Sequence, residues 1–241
     1  ATQLDPQRAL YFDWLGRVYG EKADHSSFLS AASLAKKVRT AFERAVQLDS
    51  HNWESRVDLG EYYAEAPGIV GGGADKARQQ SSALMSFKPA MAYWVLARID
   101  EKNKDRAAAE RDYRAAITAS NGGVRAWFDL GNFFFHARRL DEMDEAFSHL
   151  ESAPADCPES LLHGAQVLQR AGRNAPLAMR LLRRYLESPV EHGPAFKAHD
   201  LLGQYLEKQG DHNGAGEQYR AALSLWRGEA HAKEALVRLQ H

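Results

Sequence analysis

The chain has 241 residues, with 31 Lys+Arg against 32 Asp+Glu, a formal charge of −1 and 44% hydrophobic residues. That length and apolar content support one or two domains with a real core and exclude extended disorder, and the balanced charge gives no global attraction to nucleic acid or anionic membrane. A single cysteine, Cys157, excludes an internal disulfide and a cysteine-based metal cluster, and no apolar run approaches the ~20 residues needed to span a bilayer.

In chain order, the sequence opens with Ala1 rather than Met, which favours an exported, periplasmic protein over a cytoplasmic one. Period-2 strand patterns are nearly absent, and apolar residues recur at helical spacing almost throughout. One pattern repeats: a large residue, Leu three later, Gly or Ala next, and usually an apolar residue three beyond. Its copies are Phe12-Leu15-Gly16-Tyr19, Arg56-Leu59-Gly60-Tyr63, Tyr93-Leu96-Ala97-Asp100, Trp127-Leu130-Gly131-Phe134, Leu161-Gly164-Ala165-Leu168 and His199-Leu202-Gly203-Leu206. The small residue falls at positions 16, 60, 97, 131, 165 and 203, giving intervals of 44, 37, 34, 34 and 38. Each copy is followed by a second series with partners four and seven later: Val38-Phe42-Ala45, Ala77-Ser81-Leu84, Ala109-Tyr113-Ala116, Met143-Phe147-Leu150, Ala178-Leu182-Tyr185 and Ala215-Tyr219-Ala222. Pro89, Pro154 and Pro189 punctuate the units.

A 34-residue unit with these two half-patterns resembles the tetratricopeptide repeat. The resemblance runs from about residue 9 to 225, and Arg56, His199 and Asp100 depart from its usual apolar positions. It implies an all-α, right-handed superhelical solenoid of about six helix pairs in a single domain, residues 1–241. The repeats would be about 9–52, 53–89, 90–123, 124–157, 158–195 and 196–227, with a capping helix at 228–240. The small residue on helix A lets helix B approach closely, and stacked neighbours bury what one pair leaves bare. Local signals agree: Asp105 and the pair Asp141 and Asp144 read as capped helix starts, and Gly172 and Gly210 as helix stops.

The excess length lies at the front, in insertions near 20–30 and 66–74 at the A-to-B turns of the first two repeats. The series Phe28, Ala32, Ala35, Val38, Phe42, Ala45 predicts a second helix that begins near Ser27 and overhangs. Ile69 and Val70 are expected to cover it around Phe28 and Leu29. The stretch Ala66-Pro67-Gly68-Ile69-Val70-Gly71-Gly72 resembles a bacterial tetratricopeptide subgroup with an APGI-x-GG insertion. The glycine run is no phosphate loop: Lys76 stands three residues after Gly73, Ala77 follows it, and a helix rather than a strand precedes it.

No catalytic constellation emerges. The ten histidines form no His-Glu-x-x-His pair, and His192 and His199 lack a third ligand. Cys157, between Asp156 and Pro158, has no basic neighbour in sequence to activate it. The expectation is a protein with no enzymatic activity, cofactor, metal, nucleic-acid partner or membrane insertion.

As the resemblance implies, helix A lines a concave groove that holds a peptide segment of another protein. Its inner positions include Trp94, Phe128 and Leu162 as an apolar track, with Arg98, Asn132 and Gln166 beside it as donors. Asn132, just after Gly131, stands where peptide-binding members commonly carry a groove asparagine. The competing reading packs Trp94 and Phe128 beneath neighbouring helices. Glu54, Asp58, Glu61 and Glu65 form an acidic row suited to basic partners, unless Arg98 and Lys102 pair with Glu61 and Glu65. The alternative function is an assembly or oligomerisation subunit that uses the edge residues Phe28, Leu29, Ile69 and Val70.

Overall fold

The computed structural model describes residues 4–188 and 194–239, excepting the side chain of Leu29. Pro189, His192, His241 and that side chain lie outside the described residues. Among the described residues there are thirteen α-helices and no strand. They fall into two compact units, Ala1–Ser120 and Asn121–His241. The first holds three helical hairpins: α1 (Ala9–Asp24) with α2 (Phe28–Leu48), α3 (Trp53–Glu65) with α4 (Ala74–Leu84), and α5 (Pro89–Lys102) with α6 (Arg106–Ala119). The second holds α7 (Val124–His136) with α8 (Leu140–Ser148), α9 (Glu159–Ala171) with α10 (Ala175–Glu187), and α11 (Ala195–Lys208) with α12 (His212–Leu225). Helix α13 (Ala230–Arg238) packs on α12, at the place expected for the cap. Within each unit successive hairpins stack, through α2–α3 and α3–α5 in the first and α7–α9 and α10–α11 in the second.

The two sequence patterns meet in one contact. A Cβ placed on Gly16 would lie 2.4 Å from the Phe42 ring, on Gly131 2.3 Å from Phe147, and on Gly203 2.6 Å from Tyr219. Each glycine is the small residue of its first helix, and each ring is the middle member of the second-helix series. The ring seats against bare backbone, and all three rings are buried, each contributing roughly 2–3 kcal/mol through burial. In the third and sixth repeats the ring is a tyrosine, and its hydroxyl donates to a carboxylate four residues past the small residue. Tyr113 reaches Glu101 at 2.6 Å and Tyr219 reaches Glu207 at 2.8 Å. Gly60 sits differently, at the crossing of α3 with Val95 of α5.

Helix starts follow local chemistry. Asn52, Asp105 and Asp211 accept from the amides of Ser55, Ala108 and Gly214 at 3.0, 3.0 and 2.9 Å, closing first-turn donors. Gly123 precedes α7 without a side chain, and Asp156 of the α8–α9 turn supplies the missing acceptor to the Arg125 amide at 3.1 Å. Asp141 and Asp144 do not cap α8 as expected. The helix begins at Leu140 after Arg139, and Arg173 binds both carboxylates, at 2.7 and 2.8 Å. Gly172 ends α9 in the left-handed region, φ 65°, as its position predicts.

The early start of α2 is borne out, with Ser27 at its N-cap. The second insertion forms a short 3-10 turn, Gly68–Val70, followed by Gly71 at φ 98°. A side chain at Gly71 would also run into the Arg39 guanidinium. The turn is held by donors to its carbonyls: Tyr62 Oη and Arg39 Nη1 to Val70, at 2.9 and 3.4 Å, and Lys76 Nζ to Gly71 at 3.0 Å. Val70 is buried, but Ile69 is 88% exposed and Phe28 86% exposed. The expected cover over Phe28 is therefore absent. The turn is pinned to α2 at the level of Arg39, about three helical turns along from Phe28, which leaves Ile69 facing solvent.

Candidate functional site

The inner positions of the first helix of each pair sort by burial before they sort by chemistry. Three residues before the small residue stand Asp13, Val57, Trp94, Phe128, Leu162 and Asp200. All are buried except Phe128, which is half-exposed. The apolar track therefore fails at two of its three members: Trp94 is 8% and Leu162 1% exposed. This position faces neighbouring helices, and even the two aspartates are drawn in. Arg17 pairs with Asp13 at 3.2 Å, and Asp200 accepts from Gln204 and meets His231, both at 2.8 Å.

The residue just after the small one is different, being half-buried or exposed in every repeat: Arg17, Glu61, Arg98, Asn132, Gln166 and Gln204. The first unit thus presents three charges and the second three carboxamides.

In the first unit those charges close on the acidic row. Arg17 donates to Asp58 at 2.6 Å. Arg98 reaches Glu65 and Glu101, both at 2.9 Å, and Glu61 at 3.9 Å, with its guanidinium over the Trp94 ring. Lys102 donates to the Glu65 carbonyl at 2.9 Å. Glu54 remains exposed, but Asp58, Glu61 and Glu65 are paired, so the row is no open anionic surface. Sequence reading anticipated Arg98 and Lys102 as partners and missed Arg17. Its signal was Asp13, four residues earlier on the same helix face. One guanidinium between two carboxylates leaves an excess charge in a dry place. Burial, with Asp13 adding to it against Arg17, pushes Asp58 up to about 6.

In the second unit α7 and α9 pack side by side. Phe128 lies parallel to Phe147 at 6.1 Å and tilted against His163 at 5.8 Å. The Arg170 guanidinium covers Phe135 at 5.5 Å. Desolvation, with Lys197 and Arg170 adding to it against Glu159, lowers the pKa of His163. Gln204 is consumed by Asp200 and by Gln169, whose amide donates to it at 2.9 Å. Among the described residues, no hydrogen bond reaches the side chains of Asn132 or Gln166.

Among the described residues, no three His, Cys, Asp or Glu gather to hold a metal ion, and no helix is long and apolar enough to cross a membrane. Burial raises the Cys157 thiol above its ordinary pKa.

Stacked hairpins seated on glycine–aromatic contacts define an α-helical repeat protein. Two segments, residues 95–158 and 196–225, match tetratricopeptide-repeat family models, so those segments are tetratricopeptide-like repeats. No curated protein matches the chain by sequence. Among solved structures it is similar to the APC/C hetero-tetramer Cut9–Hcn1, at 12% identity over 100% of this chain and 44% of that one, with a TM-score of 0.50. It is also similar to Pseudomonas aeruginosa pilF, at 14% identity over 94% and 99% of the two chains and a TM-score of 0.48. A third is yeast Tom70, at 12% identity over 96% and 58%, with a TM-score of 0.49. The first of these likenesses shows the fold alone, and this chain spans less than half of that relative's length.

Proposed function

We propose that the chain is a non-catalytic binding module whose α7–α9 face takes an extended segment of a partner protein. The observation that carries this reading is the pair of unengaged carboxamides, Asn132 and Gln166, at equivalent positions of two packed helices beside the half-exposed Phe128. A carboxamide both donates and accepts, which matches the alternating N–H and C=O of an extended peptide. Two of them on adjacent helices fix its direction, and the Phe128 and Phe135 rings add apolar contact for its side chains. We take the Ala66–Gly72 turn as the mark of the bacterial APGI-x-GG subgroup.

The test is selection of peptides on the intact chain from a random display library, followed by Asn132→Ala with Gln166→Ala. Selected peptides should lose affinity by about tenfold or more, with thermal stability unchanged, because neither side chain supports the fold. Retention of full affinity by the double variant moves the site elsewhere. A second reading, assembly through the edge, is favoured by the exposure of Phe28 and Ile69; it requires Ile69→Asp to change the assembly state while peptide binding persists.

A further inference from the structure

The side of the α1–α2 hairpin away from α3 holds an apolar groove of about 640 Å³. Phe12, Leu15 and Tyr19 of α1 form its floor, and Lys36, Lys37 and Arg44 of α2 stand along its rim. The apolar surface continues around α1, where Trp14 and Val18 are 57% and 58% exposed. The opposite side of the hairpin is already covered by its neighbour, since α2 packs on α3. The groove between two packed helices suits the ridge of a third, so the shape asks for a helix.

The rim says which kind. Glu43 also lines the groove, but its carboxylate accepts from Tyr63 Oη at 2.8 Å and lies 3.7 Å from Arg39. The three cations keep no carboxylate partner among the described residues. Lys37 and Arg44 instead lie over the Tyr19 and Phe12 rings, at 5.6 and 5.9 Å, at the boundary between floor and rim. A cationic border around an aromatic floor complements an apolar stripe flanked by carboxylates. We propose that the α1–α2 groove docks an acidic amphipathic helix of a partner protein, at a site separate from the α7–α9 face.

The experiment uses the whole chain and two labelled synthetic helices of about 18 residues, with the same leucine stripe and flanked by Glu in one and Lys in the other, read by fluorescence anisotropy. The Glu helix should bind at least about tenfold more tightly than the Lys helix and weaken as salt is raised. The variant Lys36→Glu, Lys37→Glu, Arg44→Glu changes two exposed lysines and a half-buried arginine and should reverse that preference, with circular dichroism unchanged. Val18→Asn should weaken both helices without altering the circular dichroism. Equal binding of the two helices, or a preference unmoved by the charge reversal, overturns the proposal. So does sedimentation showing a dimer dispersed by that reversal, which would make the occupant a second copy. Loss of Glu-helix binding in the Asn132→Ala, Gln166→Ala variant would place the helix on α7–α9 and overturn it as well, whereas failure of the groove alone leaves the α7–α9 reading standing.

Discussion

Arg98 on α5 and Asn132 on α7 occupy the same repeat position, one residue past the close crossing, and they meet different fates. Arg98 closes on three glutamates of its own unit, whereas Asn132 makes no side-chain hydrogen bond among the described residues. The same holds along the rows. Arg17, Glu61 and Arg98 neutralise one another's neighbourhoods, and Asn132 and Gln166 leave theirs open. One scaffold thus braces one row internally and leaves Asn132 and Gln166 unengaged in the other, the row for which we propose a ligand. Charges of opposite sign on adjacent helices find each other, while the carboxamides of Asn132 and Gln166 have no such pull and, unlike Gln204, keep their hydrogen-bonding capacity.

The sharpest way to break the comparison is to attack what both units share. Gly131→Leu in the second unit and Gly16→Leu in the first should each cost about 3 kcal/mol or more in urea denaturation, because a side chain there collides with the Phe147 or Phe42 ring. Partial rescue by Phe147→Ala or Phe42→Ala would show the collision itself to be the cause. Next, Arg98→Leu should cost about 1–2 kcal/mol by stranding Glu61, Glu65 and Glu101, while peptides selected on α7–α9 bind as before. Gln166→Leu, its counterpart, should leave stability within about 0.5 kcal/mol.

Two acids, one in each unit, are shifted in opposite senses. Asp58, at about 6 in the folded chain against 3.8 ordinarily, keeps a proton that the unfolded chain releases, so stability falls as pH rises between roughly 4 and 6. Glu207 is lowered below its ordinary 4.5, chiefly by the Arg238 hydrogen bonds with Tyr219 adding to them, so its contribution disappears as pH falls through and below 4.5. Melting temperature measured from about pH 3.5 to 7 should show a shallower first slope in Asp58→Asn, with the remainder due to Asp100 and Asp112, which burial also raises, and a weakened second one in Glu207→Gln. The smallest effect belongs to Tyr219→Phe, about 1 kcal/mol, for the bond to Glu207.

The helix pairs, the close crossings and the early start of α2 were legible because each depends on spacing along the chain, and spacing is what a sequence displays. The sequence leaves Trp94 open to either reading and places Leu162 in the groove, and both are buried, because exposure depends on how far each helix is rolled against its neighbour, which shifts a residue from surface to interior without changing the pattern. Arg17 escaped notice because its partner Asp58 lies in another repeat and one aspartate of the pair of acids it serves is buried. Ile69 points outward because the turn is held by the buried Val70 and by hydrogen bonds to its own carbonyls, and neither involves the Ile69 side chain. The donors of those bonds, Arg39, Tyr62 and Lys76, come from three different helices.

The seating of Phe42 on Gly16 has a corollary for how such a chain can lengthen. A joint anchored at one spot tolerates growth beyond it, and α2 extends for fourteen residues ahead of Phe42 without disturbing the crossing. Extra length accumulates at the overhanging tip, where it meets solvent instead of core, so new surface can be tried out there while the joint underneath stays as it was.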